Sequence, residues 1–216
     1  MNIRFIKNLI GVLIVFPMFF SNAFGQNTKP VDTIGLKPIQ VAPHTYFVQG
    51  FAEMGSSANQ NFISNAGFVV TPAGVVVVDA LGSPVLAQKL ISEIKKITPQ
   101  KVVTVIVSHY HADHIYGLQE FKKIGAKIYA QGEGRNYLSS ETAKQRLIAS
   151  QMDFAPWVNA NTKLITADVW IDQKLKLSIG GVDFFISRVG PAHAPEDLMV
   201  YVPSEKVLFA GDLVFR

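Results

Sequence analysis

The 216-residue chain contains no cysteine. That absence removes disulfides, thiolate nucleophiles and sulfur-ligated metals together, so any bound metal must be held by imidazole and carboxylate. Charge is also sparse, at 17% of residues, and the net charge of +4 falls to +2 once the first 25 residues are set aside. So small a surplus does not build a nucleic-acid surface, and no nucleic-acid partner is expected. What is plentiful is apolar surface: 49% of residues are hydrophobic, enough for a packed core and too much for a disordered chain.

A long membrane span is missing too. The apolar stretch at 9–20 falls short of the about 20 residues a spanning helix needs, and Pro17 interrupts it. Arg4 and Lys7 precede this stretch, and Ala23-Phe24-Gly25 follows it as a small-x-small cleavage site. Residues 1–25 therefore read as a signal peptide cleaved before Gln26, with a retained anchor as the alternative. The mature protein is expected to be exported, periplasmic or secreted, without stable membrane insertion.

Residues 26–43 carry two lysine-proline steps and no periodicity, and read as an extended lead-in to one domain spanning 44–216. Strands are expected at 45–49, 61–70 and 74–79, with a hairpin turn at 71–74. Ser83 can cap a helix to Ile97, where Val85, Leu86, Leu90, Ile91, Ile94 and Ile97 recur at helical spacing. The β-branched run 102–107 suits a strand covered on both faces, followed by a helix over 115–124 and a strand at 127–130. Residues 133–152 read as polar and helical, and 153–161 as a loop. Within that loop region Phe154 and Trp157 can either line a substrate entrance or anchor the loop to the core. Strands at 168–171, 174–179, 182–189, 198–202 and 207–210 complete the pattern.

The strongest chemical signal is His109-Tyr110-His111-Ala112-Asp113-His114, placed directly after the expected buried strand. Three of the chain's five histidines fall within these six residues. In extended chain, residues two apart point the same way, so His109 and His111 can converge on one ion while a turn lets Asp113 and His114 face another. Nitrogen and oxygen donors without sulfur suit Zn²⁺. His44, which precedes the first strand, reads as an ordinary surface histidine.

This hexapeptide has the H-x-H-x-D-H form, and from about Tyr46 to Arg216 the chain resembles the metallo-β-lactamase superfamily. The resemblance implies an α/β fold, the four-layered αββα sandwich. It also implies one or two zinc ions: the first held by His109, His111 and a later histidine, the second by Asp113, His114, a bridging aspartate and a final histidine. His193, in Gly190-Pro191-Ala192-His193-Ala194-Pro195, is the later candidate, although alanine and proline follow it where the family turn reads closer to G-H-T-x-G. Asp212, after Leu208-Phe209-Ala210-Gly211, matches the bridging aspartate, and Asp79 resembles the aspartate below the metals, placed to orient a metal-bound imidazole.

The activity so implied is hydrolysis of a small-molecule ester, thioester, lactone or amide by metal-activated water, with Asp113 orienting the attacking oxygen. The segment 190–215 resembles exported SoxH-like and quinoprotein-relay zinc metallohydrolases. A β-lactamase is the alternative, against which Asp212 argues because β-lactamases usually place another residue there. A glyoxalase-II-like thioesterase shares the ligands but is normally cytosolic. A catalytically inactive metal-binding or interaction domain is the reading from another class. The family's last histidine and covering helix are expected beyond Arg216, so the sandwich is expected to be incomplete at its C-terminal end.

Overall fold

The computed structural model describes residues 32–214. The expected signal peptide, the start of the lead-in and the last two residues lie outside that range. The described elements are β1 (Ile39–Ala42), β2 (Thr45–Val48), β3 (Ala66–Thr71), β4 (Gly74–Val78), α1 (Pro84–Ile97), β5 (Val102–Ile106), α2 (Ala112–Ile115) and α3 (Leu118–Lys123). They continue with β6 (Lys127–Gln131), α4 (Gly134–Ser139), α5 (Glu141–Asp153), β7 (Val169–Ile171), β8 (Lys174–Ile179), β9 (Val182–Arg188), β10 (Leu198–Val202) and β11 (Val207–Phe209), and close on a 3₁₀ turn, Gly211–Leu213.

Strands β1 to β7 lie side by side in chain order as one sheet. Its first four strands are antiparallel, and β4 through β7 run parallel. The second sheet has the order β11-β10-β9-β8 and is antiparallel throughout. Alternate residues of β4 serve two cores, because successive side chains on a strand point to opposite faces. Val75 and Val77 pack with Leu86, Leu90 and Phe121 against the helices, whereas Val76 and Val78 pack with Phe184, Ile186 and Val200 of the second sheet. The resulting order is helices, sheet, sheet. This is the mixed α/β sandwich expected from the sequence, with three of its four layers among the described residues; the outer face of the second sheet shows Phe185, Tyr201 and Leu208 to solvent.

Several boundaries depart from the sequence reading, each for a local reason. The lead-in contributes β1, which pairs with β2; its polar and apolar residues are mostly exposed, so it carried no periodic signal. The helix expected over 115–124 is broken into α2 and α3 at Tyr116 and Gly117. Gly117 lies against the backbone of Ala80 with no room for a Cβ, so the chain bends where the backbones touch. The helix expected over 133–152 divides at Ser140, whose hydroxyl accepts from Ala143 N at 3.1 Å and caps α5. Phe154 is buried and the Trp157 indole N–H donates to Ser57 O at 2.7 Å, so both aromatics anchor their loop.

His44 has a structural partner. The Glu205 carboxylate accepts from His44 N at 2.8 Å, pairs with His44 Nδ1 at 3.0 Å and accepts from the Thr45 hydroxyl at 3.1 Å, tying the start of β2 to the β10–β11 turn. Burial works to raise the Glu205 pKa, but these three bonds outweigh it and leave it below the usual value of 4.5. A lowered carboxylate pKa adds stability that is present above the unfolded value and fades as pH falls. Glu205→Ala should therefore cost about 1–3 kcal/mol at neutral pH, with the gap to the parent narrowing at acid pH as the lowered pKa of Glu205 is passed. Urea unfolding at neutral and acid pH checks this, and a pH-independent gap would refute the clamp.

Candidate metal centre

The candidate side chains gather where β5 ends, beside the loop between β9 and β10 and the turn after β11. Strand β5 delivers Ser108 and His109 at its end, and the extended backbone at His111 lets α2 begin with Ala112. His109 and His114 are buried, and His111 and His193 lie at the surface. Loop 190–197 closes on this segment through several bonds. Leu198 N donates to Ser108 O at 2.8 Å, Tyr110 N donates to Glu196 Oε1 at 3.1 Å, and Asp197 Oδ2 accepts from Ala194 N at 2.7 Å. Glu196 and Asp197 are both buried, so the loop is held by carboxylates enclosed in the protein.

His193 is brought to the hexapeptide. Its Nε2 lies 2.9 Å from His111 Nδ1, and the ring centroids of His109, His111 and His193 are 4.6 to 4.9 Å apart. Asp212 reaches the same place from the other side: its Oδ1 is 3.3 Å from His114 Nε2, and its Oδ2 is 3.6 Å from His193 Nε2 and 3.9 Å from His109 Nε2. Asp113 Oδ2 is 3.4 Å from His114 Nε2. Two overlapping donor groups result, His109 with His111 and His193, and His109 with His114 and Asp212, each with its atoms within 4.8 Å of one another. All six metal-ligand candidates of the sequence are thus in one place.

Beneath them sits Asp79, in the left-handed region at φ +64. Its Oδ1 accepts from Ser108 N at 2.7 Å, while Oδ2 accepts from the Ser108 hydroxyl at 2.7 Å and lies 3.0 Å from His114 Nδ1. Ser108, Glu196 and Asp197 are residues that sequence reasoning missed. The carboxylates three and four residues after His193 offered a signal, as adjacent acids in a histidine loop; Ser108 offered only its place before His109.

The electrostatics fit a cation. Burial and the neighbouring His114 and His111 push the His109 pKa down to about 2, so its ring is neutral. His111, exposed on one side, is half-enclosed by the cluster, and that desolvation and His193 lower its pKa. For Asp113, burial works upward, but the hydrogen bond and charge of His114 prevail and bring it to about 2. Asp212 is lowered in the same way by His114 and His109 against its own burial. Burial opposes charging His114, yet Asp79, Asp113 and Asp212 outweigh it and raise its pKa well above 6.5. The Nε2 atom of His109 is buried without a hydrogen-bond partner, while that of His114 meets Asp212 Oδ1 at 3.3 Å and Asp113 Oδ2 at 3.4 Å. Leaving a polar atom so costs about 1–3 kcal/mol, a cost that packing alone gives no reason to bear. Imidazole and carboxylate donors converging on one point fit a divalent metal such as zinc.

A groove of about 590 Å³ opens beside His114 and Asp212, with Phe51, Ile63 and Phe209 along its walls. Residues 60–216 match the sequence model of the Metallo-beta-lactamase superfamily. Metallo-beta-lactamase type 2 from Elizabethkingia meningoseptica is 28% identical over 193 residues, covering 89% of this chain and 66% of that protein. The 2,4-dinitroanisole O-demethylase subunit alpha of Nocardioides sp. (strain JS1661) is 27% identical over 143 residues, covering 66% of this chain and 38% of that one. The chain thus spans less than two thirds of the length of these curated relatives. In three dimensions it is similar to the metallo-beta-lactamase from Pontibacter korlensis, with a TM-score of 0.63 and 17% identity over 81% of this chain and 70% of that one.

Asp79 offers a direct test of this arrangement. Asp79→Asn keeps the shape but sets an amide N–H₂ against donors, and should destabilise the zinc-free protein by about 1–3 kcal/mol. An unchanged urea midpoint would show that Ser108 and His114 have other acceptors.

Proposed function

Since the chain belongs to the metallo-beta-lactamase superfamily, we propose that it is a zinc-dependent hydrolase of a small ester, thioester, lactone or amide. The observation that carries this reading is the meeting of His109, His111 and His193, drawn from two distant stretches, with Asp212 beside them. His109, His111 and His193 would hold one ion, and Asp113, His114 and Asp212 a second. The two oxygens of Asp212 face different histidines, which is the disposition a bridging carboxylate needs. Zinc, when bound, would supply Lewis acidity, making water a nucleophile near neutral pH and polarising the bond to be cleaved.

The rest of the chemistry falls to this chain's own side chains. Asp113, held ionised at neutral pH by its low pKa, can accept a hydrogen bond from the attacking water and so orient it. Asp79 holds His114 in place from below. Glu196 and Asp197 fix the loop that carries His193, so a bound cation meets a largely prearranged set of donors. The groove beside Asp212 offers the substrate room, with walls that mix apolar side chains such as Phe51 and Phe209 with polar ones such as Gln49 and Asn65.

For the substrate we favour the group resembled by residues 190–215, the exported SoxH-like and quinoprotein-relay metallohydrolases, and we propose export on the pattern of residues 1–25. Among the described residues no helix is long and apolar enough to cross a membrane. A β-lactam substrate is the second reading, favoured by the similarity to the Elizabethkingia protein. Zinc-loaded protein should hydrolyse at least one of a nitrocefin-type lactam, a thioester and a lactone, and a chelator should abolish the turnover. Zinc binding with no turnover of any of the three would favour a binding module instead. His111→Ala should remove activity and most metal uptake, measured by metal analysis; retention of both would refute the ligand assignment.

A further inference from the structure

The hydroxyl of Ser108 touches two groups at once. It lies 2.7 Å from Asp79 Oδ2 and 3.0 Å from His109 Nδ1, and the residue is buried. Asp79 Oδ2 accepts from the Ser108 hydroxyl, which has only one hydrogen and spends it there. Toward His109 the Ser108 oxygen can then only accept, and His109 Nδ1 must carry the ring hydrogen. That leaves Nε2 as the bare nitrogen, and Nε2 is the atom that faces Asp212 and makes no hydrogen bond.

We propose that Ser108 is a positioning residue, relaying the Asp79 carboxylate to His109 so that the lone pair of His109 Nε2 is aimed into the histidine cluster. One carboxylate thereby sets two imidazoles: His114 directly through its Nδ1, and His109 through the serine. Outer groups that hold a ligand imidazole in one tautomer are a recognised part of metal affinity. Ser108 also seats the opposite wall. Gly211, at φ +56, lies so close that a Cβ there would be 3.0 Å from Ser108 Cβ and 3.1 Å from its Oγ. The turn carrying Asp212 therefore rests on the residue that orients His109.

The relay rests on the reading of His109 as a zinc ligand, but its tautomer can be measured without metal. Long-range ¹H–¹⁵N spectra of the full chain, zinc-free, should show His109 protonated at Nδ1 and bare at Nε2. In Ser108→Ala the two tautomers should mix, and zinc affinity by chelator competition should fall about 10–100-fold; Ser108→Thr, which keeps the hydroxyl, should restore both. A parent His109 protonated at Nε2 overturns the proposal, even if the alanine variant does not fold. So does a folded Ser108→Ala protein that keeps either the parent tautomer or the parent zinc affinity. If the parent chain takes up no zinc at all, the metal reading fails by itself, and the tautomer alone then decides the relay.

Discussion

The buried Asp79 carboxylate is the constraint around which this site is organised. It lies between the ends of two neighbouring parallel strands, β4 and β5, and accepts one backbone and one side-chain bond from Ser108 while meeting His114 Nδ1. A carboxylate enclosed in protein is tolerated only when its oxygens are filled with donors. Here those donors come from Ser108 and His114, so satisfying Asp79 and holding the His114 imidazole are one event. Its backbone lies in the left-handed region, at φ +64, directly after the end of β4.

Above that carboxylate the architecture gathers groups that would repel or strand one another in an ordinary core. Neutral His109, the ionised Asp113 and Asp212, and a His114 with a raised pKa lie within contact distance. The arrangement places negative charge at the rim and bare nitrogen at the centre, the complement of a small divalent cation. The two-sheet sandwich makes this possible. Each sheet contributes a rigid strand end, and Leu198 N bonding to Ser108 O pins the second sheet to the first within reach of His193 and His109.

The hexapeptide 109–114 was legible because its residue types and spacing already imply a shared ligand, and the β-branched run before it already implied a buried strand. The mixed α/β sandwich followed from alternating strand and helix patterns and from the resemblance they support. Less was legible where packing between backbones overrode local pattern. The break between α2 and α3 comes from Gly117 meeting Ala80, 37 residues earlier in the chain, and the strand in the lead-in exists because β2 offers it an edge. The roles of Ser108, Glu196 and Asp197 were likewise hidden, since a serine or acid in a loop gains meaning only from what it touches.

By itself the sequence determined the donor chemistry: no sulfur, a dense histidine motif, and aspartates and a lone later histidine in positions that the resemblance could name. Those facts depend on residue identity and short spacing, which local geometry translates directly. Only the tertiary structure decided that His193 and Asp212 meet the hexapeptide, that Asp79 reaches His114, and that Ser108 stands between Asp79 and His109. Residues far apart in the chain become neighbours only when two sheets close on a common core, because the burial of their apolar faces fixes the approach of the strand ends.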